Sequence, residues 1–277
     1  MTGIQNTDSG SAEPGRAPSE PGQDLRVEVR QDGSAWITID RPEKHNALAR
    51  NVLQQLADAV NRLGADPATR LLIVRGAGEK YFAAGGDLVD LAAVQTEAAT
   101  AEMADQAAEA LDAVRRCPVP VVAYVNGDAL GGGAELAVAC DLRMIATGAR
   151  IGFVQGRMGI TSAWGGGTDL CQLVGAARAM RMMGRCEMIG AQTALEWGLV
   201  DAIVSGGADG PDVAAFLKPF LERSALVLRG IKAQTSAWRA GAPYRERRHI
   251  ERTHLVSTWL SPEHWRAVDR FLNKDKP

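Results

Sequence analysis

The residues best suited to chemistry in this chain lie in two glycine-rich loops, each after an apolar run that predicts a buried strand. The first loop is YFAAGGDL (81–88) and the second is DALGGGAEL (128–136). Both loops run into helical sequence, where the first backbone N–H groups lack partners and the helix dipole favours negative charge. Two such donors aimed at one point would form an oxyanion hole. Glycines that only make tight turns are the alternative, which the pattern alone does not exclude.

Glu135 follows the triple glycine of the second loop, within the apolar sequence AELAVAC (134–140). A carboxylate in a first helical turn often does no more than compensate the helix dipole at the surface. The apolar flanks indicate a second possibility, that this side chain is partly buried. Burial would raise its pKa and suit it to general acid or base catalysis.

The composition is that of an ordinary globular protein, with 46% hydrophobic and 23% charged residues among 277. The 31 basic and 33 acidic residues give a net charge of -2, and only 5% of residues are aromatic. We therefore expect no nucleic-acid partner. An apolar run of about 18 residues is absent from the sequence, so no membrane partner is expected. The N-terminal residues lack a basic region followed by an apolar stretch, which favours a cytoplasmic protein.

The cysteines and histidines do not have the spacing of a metal or disulfide framework. The sequence contains no CxxC pair and no HExxH motif. We expect no metal site, and we interpret the four cysteines as reduced thiols in or near the core. They are Cys117, Cys140, Cys171 and Cys186.

The order of the predicted elements indicates an α/β fold in three segments. Residues 1–24 are rich in Gly, Pro, Ser and acidic residues, and predict a disordered tail. In residues 25–205 a hairpin precedes buried strands and amphipathic helices, the first helix over Asn46–Gly64. Residues 206–277 follow a composition break and predict a helical C-terminal region.

Six blocks of sequence together resemble the crotonase superfamily, also called the enoyl-CoA hydratase/isomerase family. The resemblance extends from about residue 25 to the C-terminus. It rests on RPEKHNAL (41–48), LLIVRGAGEKYFAAGGDL (71–88), PVPVVAYVNGDALGGGAELAVACDLRM (118–144), AWGGGTDL (163–170), ALEWGLVD (194–201) and RFLNKDKP (270–277). It implies a spiral of ββα units, a helical C-terminal trimerisation region, and a homotrimer or dimer of trimers.

The resemblance also implies that an acyl-CoA thioester binds with its carbonyl oxygen in an oxyanion hole, where an enolate is stabilised. By position, the donors are the N–H groups of Gly86 and Gly132, and Glu135 matches the first of two catalytic glutamates. The second glutamate of a typical hydratase is replaced by Gln155, which cannot exchange a proton. Trp164 is a candidate wall of the acyl pocket, with an ordinary core residue as the alternative.

The coenzyme A moiety of the substrate is the only cofactor that the resemblance implies. Its expected contacts by position are Lys44, His45, Ala83, Phe271 and Lys274. Lys44 and Arg41 are candidates for contacts with the CoA phosphates, with solvated loop residues as the alternative, and an exposed loop histidine is the alternative for His45. Phe271 and Lys274 match a terminal helix that can cover CoA bound to a neighbouring subunit.

Within the family, several stretches are most similar to members of the ethylmalonyl-CoA decarboxylase type, which also lack the second glutamate. They include FVQGRMGI (153–160) and WLSPEHW (259–265). We therefore favour decarboxylation of an alkylmalonyl-CoA, with Glu135 as the proton-transfer group. Isomerisation or hydration of an enoyl-CoA is the alternative, and a CoA-binding protein without turnover is a more distant one.

Overall fold

The computed structural model describes residues 24–273, in which two β-sheets and a set of helices build a mixed α/β fold. The strands are β1 (Leu25–Val29), β2 (Ser34–Ile39), β3 (Leu71–Gly76), β4 (Tyr81–Ala83), β5 (Val121–Val125), β6 (Asp128–Leu130), β7 (Leu142–Ala146), β8 (Arg150–Gly152), β9 (Ile189–Gly190) and β10 (Ala202–Val204). The α-helices are α1 (Arg50–Ala65), α2 (Leu88–Leu91), α3 (Glu97–Arg116), α4 (Gly132–Ala139), α5 (Gly166–Gly184), α6 (Ala191–Glu196), α7 (Pro211–Leu221), α8 (Ala225–Arg239), α9 (Tyr244–Trp259) and α10 (Pro262–Leu272).

The larger sheet has the strand order β1-β2-β3-β5-β7-β10 within residues 24–273. β1 is antiparallel to β2, and the remaining pairs are parallel. Every residue of β2 and β5 is buried. Both faces of these strands are therefore covered, which explains their nearly continuous apolar sequences. The predicted α/β class is confirmed.

The smaller sheet, with the order β4-β6-β8-β9, carries the two glycine-rich loops. Its strands have only two or three residues each, too few for an alternating pattern to reveal them in the sequence. β4 and β6 are parallel neighbours, so the loops that follow them leave the same edge of the sheet. Helix α4 begins directly after the second loop.

Helix α1 begins at Arg50, four residues later than the predicted start at Asn46. Asn46 is in a left-handed conformation, with φ 56°. Its buried side chain donates to the carbonyl oxygens of Ala77 and Tyr81, at 3.0 and 2.7 Å. These bonds hold the segment before α1 against the β3–β4 connection, so the segment cannot join the helix.

Residues 1–23 of the predicted tail lie outside the described residues, while Asp24 pairs with Arg41 at 3.2 Å. Cys117, Cys140 and Cys186 are buried free thiols, but the interpretation of Cys171 as a thiol in or near the core is wrong, because its position on α5 is exposed.

Two features of residues 24–273 bear on the expectations for a membrane and for a metal site. No helix there has the length and apolar character needed to cross a membrane. No group of three or more His, Cys, Asp or Glu side chains there could hold a metal ion.

Close contact between α4 and β4 requires a glycine at position 133. A Cβ atom there would overlap the carbonyl oxygen of Ala83, which belongs to the backbone and cannot move alone. We expect Gly133→Ala to lower the free energy of unfolding by about 1–3 kcal/mol, as overpacked cores do. Gly148→Ala is the control, because a Cβ at that turn position meets open space. Chemical denaturation of both variants checks this, and equal stabilities would contradict it.

Candidate active site

The two glycine-rich loops meet at the carboxyl edge of the smaller sheet. A Cβ atom at Gly85 would lie 3.2 Å from the carbonyl oxygen of Leu130 and 3.5 Å from the nitrogen of Gly132. The backbones of the two loops are therefore so close together that a side chain at position 85 would push them apart. Gly85 also has φ +98°, which favours glycine.

The N–H groups of Gly86 and Gly132 are available as donors. Leu48 donates its N–H to Gly85 and accepts from Asp87, at 2.8 and 3.3 Å, which forms a parallel bridge opposite Gly86. In such a bridge the residue between the two bonded neighbours directs its own N–H away from the partner strand. Gly132 is the first residue of α4 and has no acceptor within that helix.

The ring of Trp164 packs beside both donors. A Cβ atom at Gly132 would overlap the six-membered part of the indole, and one at Gly86 would lie 3.8 Å from Cζ2 of the same ring. Trp164 is 7% exposed. The structure therefore places this side chain, predicted as a pocket wall, directly against the candidate oxyanion hole.

Glu135 lies one turn into α4 and is 2% exposed. Its Oε1 accepts the backbone N–H groups of Trp164 and Gly166, at 3.0 and 3.2 Å. Its Oε2 accepts the side-chain amide of Gln155 at 3.0 Å. Burial raises the pKa of Glu135 above its ordinary value, although these three donors and the charge of Arg115 oppose the rise. A carboxyl group with a raised pKa can hold a proton closer to neutral pH.

Gln155 begins a short 3-10 turn, Gln155–Met158, at the wall of the site. Its Nε2 donates to Glu135, and a Cβ at Gly131 would lie 3.8 Å from its Cδ. An amide has two N–H donors and one acceptor oxygen but exchanges no proton. Glu135 is therefore the member of this hydrogen-bonded pair that can transfer a proton.

Three charged residues that no sequence motif singles out support the site. Arg115 on α3 donates to the carbonyl oxygen of Trp164 at 2.8 Å. Arg115 and Arg239 both pair with the buried carboxylate of Asp169. The three residues are far apart in the sequence. Arg115 and Arg239 lie in helical patterns without a motif, and Asp169 stands in the block AWGGGTDL (163–170), where nothing marks it as the partner of two arginines. No local signal connects the three.

The candidate CoA contacts Lys44, His45 and Ala83 lie beside the first loop. Lys44 and His45 are exposed, and the carbonyl oxygen of His45 accepts the N–H of Ala84 at 3.1 Å. The His45 ring packs 4.5 Å from that of Tyr81, centroid to centroid. Ala83 is fully buried in β4.

Arg41 is neither a solvated loop residue nor a free phosphate ligand. Its side chain is buried and pairs with Asp87 at 2.9 Å and with Asp24 at 3.2 Å. It also donates to the carbonyl oxygen of Ala47 at 2.6 Å. These partners occupy the guanidinium, and they tie the segment before α1 to the loop that carries Gly86.

Phe271 lies on α10, which packs on α9, and it is 79% exposed. Lys274 lies outside the described residues. The structure thus brings Gly86, Gly132, Glu135, Gln155 and Trp164 into one site. The roles of the proposed CoA contacts remain predictions.

Comparison with known proteins gives the family. A sequence model described as "Enoyl-CoA hydratase/isomerase" matches residues 30–277. A crotonyl-CoA hydratase of Syntrophomonas wolfei is 35% identical over 207 residues, which are 74% of this chain and 78% of that protein. An ethylmalonyl-CoA decarboxylase of Bos taurus is 30% identical over 253 residues, which are 90% of this chain and 82% of that protein.

The solved structures agree with the sequence comparison. The crystal structure of an enoyl-CoA hydratase from Bacillus anthracis superimposes with a TM-score of 0.84 at 27% identity, covering 92% of this chain and 98% of the other. The chain is therefore an enzyme of the enoyl-CoA hydratase/isomerase family and has the crotonase fold.

Proposed function

We propose that this protein decarboxylates an alkylmalonyl-CoA through a thioester enolate. The observation that carries the proposal is the pairing of one buried carboxylate, Glu135, with the non-ionisable Gln155 at 3.0 Å, beside two free N–H donors. Decarboxylation needs a site for the electrons and one proton for the product. The bovine relative, an ethylmalonyl-CoA decarboxylase in name, supports this choice.

In the proposed reaction, the thioester carbonyl oxygen binds to the N–H groups of Gly86 and Gly132. The bond between the α-carbon and its carboxylate breaks, CO2 leaves, and the electron pair moves into the thioester as an enolate. The donors stabilise the negative oxygen, and removal of one such donor typically costs about 2.7–4 kcal/mol in other enzymes. Glu135 in its protonated form then delivers a proton to the α-carbon and regains one from solvent.

Gln155 supports decarboxylation in a second way. One N–H of its amide binds Glu135, and the other is left to orient the carboxylate of the substrate. A glutamate at this position would repel that carboxylate. We propose this orienting role for Gln155, and a role for Trp164 as the wall that covers the acyl group.

The CoA moiety is proposed to extend along the segment before α1, with contacts to Lys44, His45 and the backbone of Ala83. Phe271 and Lys274 are proposed to cover CoA that is bound to a neighbouring subunit. The exposure of Lys44, His45 and Phe271 supports these assignments, because each side chain is free to meet a ligand or a second chain.

Hydration of an enoyl-CoA is the second candidate, because the Syntrophomonas relative is a hydratase in name and is 35% identical. Hydration requires activation of water and protonation of the α-carbon, and Glu135 would have to serve both steps. Isomerisation of a double bond requires only that one carboxylate take and return a proton.

The first test is mass spectrometry, with chromatography to separate isomers, of acyl-CoA thioesters incubated with the purified protein. The panel contains ethylmalonyl-CoA, methylmalonyl-CoA, a 2-enoyl-CoA and a 3-enoyl-CoA. We expect loss of CO2 from the malonyl thioesters, and none with Gly132→Ala, whose Cβ would overlap Trp164. Water addition or double-bond migration without loss of CO2 would replace the proposed reaction. Tight binding without any product would favour a binding protein.

The pH dependence distinguishes an acid from a base at Glu135. As the proton donor, Glu135 acts in its protonated form, so kcat should fall as the pH rises through its raised pKa. As a base in hydration it would act ionised, and kcat would rise instead. Glu135→Gln should lower kcat by about 10²-fold and remove this limb, while the exposed Glu109→Gln should change neither. An unchanged profile in Glu135→Gln would rule out proton transfer by this residue.

We also propose that α9 and α10 assemble the protein into a homotrimer or a dimer of trimers. Neither helix buries a residue within the chain, yet Leu255, Trp259, Leu260 and Trp265 expose large apolar surfaces. Analytical ultracentrifugation should give three or six copies of the 29.5 kDa chain. Trp259→Glu should shift the mass to fewer copies, whereas Val29→Glu, at an exposed position on β1, should not. A monomeric wild-type protein would contradict the proposal.

A further inference from the structure

We propose that Arg115 is a positioning residue, which fixes the carboxylate of Glu135 through the backbone of Trp164. The inference rests on the proposed catalytic role of Glu135, but not on which acyl-CoA is converted. Trp164 donates its N–H to Oε1 of Glu135 at 3.0 Å and accepts Nη2 of Arg115 at its carbonyl oxygen, at 2.8 Å. The two polar groups of one residue thus connect the guanidinium to the carboxylate.

The loop after Trp164 is shaped to admit the guanidinium. Gly165 has φ +84°, a conformation that favours glycine, and a Cβ there would lie 2.7 Å from Nη2 of Arg115. The next residue, Gly166, donates the second backbone N–H to Glu135 at 3.2 Å. A Cβ at Gly166 would overlap the Glu135 side chain. The absence of side chains at Gly165 and Gly166 therefore lets the backbone lie in close contact with both Arg115 and Glu135.

Arg115 is itself held rigidly, which a positioning residue must be. Its Nε and Nη2 both lie 2.9 Å from Oδ2 of Asp169, and its Nη1 donates to Asp112 at 2.8 Å. The side chains of Arg115 and Asp169 are only 15% and 6% exposed. The planar fork of an arginine can make these bonds and the bond to Trp164 at once, whereas a lysine ammonium cannot make the same planar set.

The same aspartate connects the site to the other end of α4. Oδ1 of Asp169 accepts Nε of Arg239 at 3.1 Å. Arg239 also donates to the carbonyl oxygens of Val138 and Ala139 in the last turn of α4, at 2.8 and 2.9 Å. The helix that carries Glu135 is thus held through Arg239 at its end and through Arg115 and Trp164 near its start.

Arg115 acts on Glu135 through its charge as well as through its hydrogen bond to Trp164. Arg115 on α3 is the charged group that acts on Glu135 through space, and it is paired with Asp169 on α5, which also pairs with Arg239 on α8; the side chain bonded to Glu135 is the neutral Gln155. The positive charge of Arg115 lowers the pKa of Glu135 and so opposes the effect of burial. Loss of this charge should shift the Glu135 limb of the kcat profile to higher pH.

The test compares Arg115→Gln with Arg116→Gln, an exposed neighbour that pairs with the same Asp112. We expect Arg115→Gln to lower kcat by about 10²-fold, the size of effect that a misplacement of about 1 Å can cause, with KM changed less than about twofold. Arg116→Gln should match the wild type. In the Glu135→Gln background, Arg115→Gln should cause no further loss. An equal loss in both backgrounds would show that Arg115 does not act through Glu135.

If Arg115→Gln does not fold, Arg115→Lys is tested in its place. This variant keeps the positive charge and loses the planar fork. It should lower kcat while leaving the pH limb nearly in place. Failure of both variants to fold would make Arg115 a structural residue and overturn the inference.

A second readout needs no substrate. Infrared difference spectra against Glu135→Gln follow the protonated carboxyl band of Glu135, which should persist to higher pH in Arg115→Gln than in the wild type. An identical titration in the two proteins would overturn the inference. A wild-type protein that converts no acyl-CoA would overturn the proposed function, whereas the infrared titration would still test whether Arg115 acts on Glu135.

Discussion

Burial of one carboxylate, Glu135, is the constraint on which the arrangement of the site depends. An ionised carboxylate loses several kcal/mol of hydration when it is buried, unless hydrogen-bond donors replace the water. Three N–H groups supply that replacement, from the backbone of Trp164 and Gly166 and from the side chain of Gln155. These donors come from two segments distant from α4 in the sequence. The fold must therefore bring three parts of the chain together before the group can be held.

Small residues make this convergence possible. Side chains at Gly132, Gly133 or Gly166 would overlap Trp164, Ala83 or Glu135 itself. The absence of these side chains lets helix α4 approach β4 and lets the Trp164 loop close over its first turn. The same closeness leaves the N–H of Gly132 at the surface of the site. Packing and chemistry thus impose the same residue type at the same positions, which is why the glycine pattern was visible in the sequence.

The glycine pattern is the part of the site that could be predicted from the sequence. Gly86 stands in the first glycine-rich loop, and Gly132 and Glu135 stand in the first turn of the helix that continues the second. The composition of these segments indicates a close approach of backbones, and the family resemblance gave the position of Gln155. Arg115, Asp169 and Arg239 were not predicted, because their connection exists only after α3, α5 and α8 have packed. The start of α1 was predicted too early for a similar reason: Asn46 is held by carbonyl oxygens more than 30 residues away. Contacts of this kind leave no periodic pattern in the sequence.

Because the side chain at position 155 is an amide, the pair formed by residues 135 and 155 has one titratable proton, which belongs to Glu135. Two carboxyl groups at 3.0 Å would titrate as a coupled pair, with one proton shared and one pKa strongly raised. With Gln155 in that place, Glu135 titrates as a single group whose ionised form the amide N–H stabilises. Rotation of the amide would present its oxygen to the protonated form instead. The pair can thus accommodate Glu135 before and after it gives up one proton, which is the single transfer that the proposed decarboxylation requires.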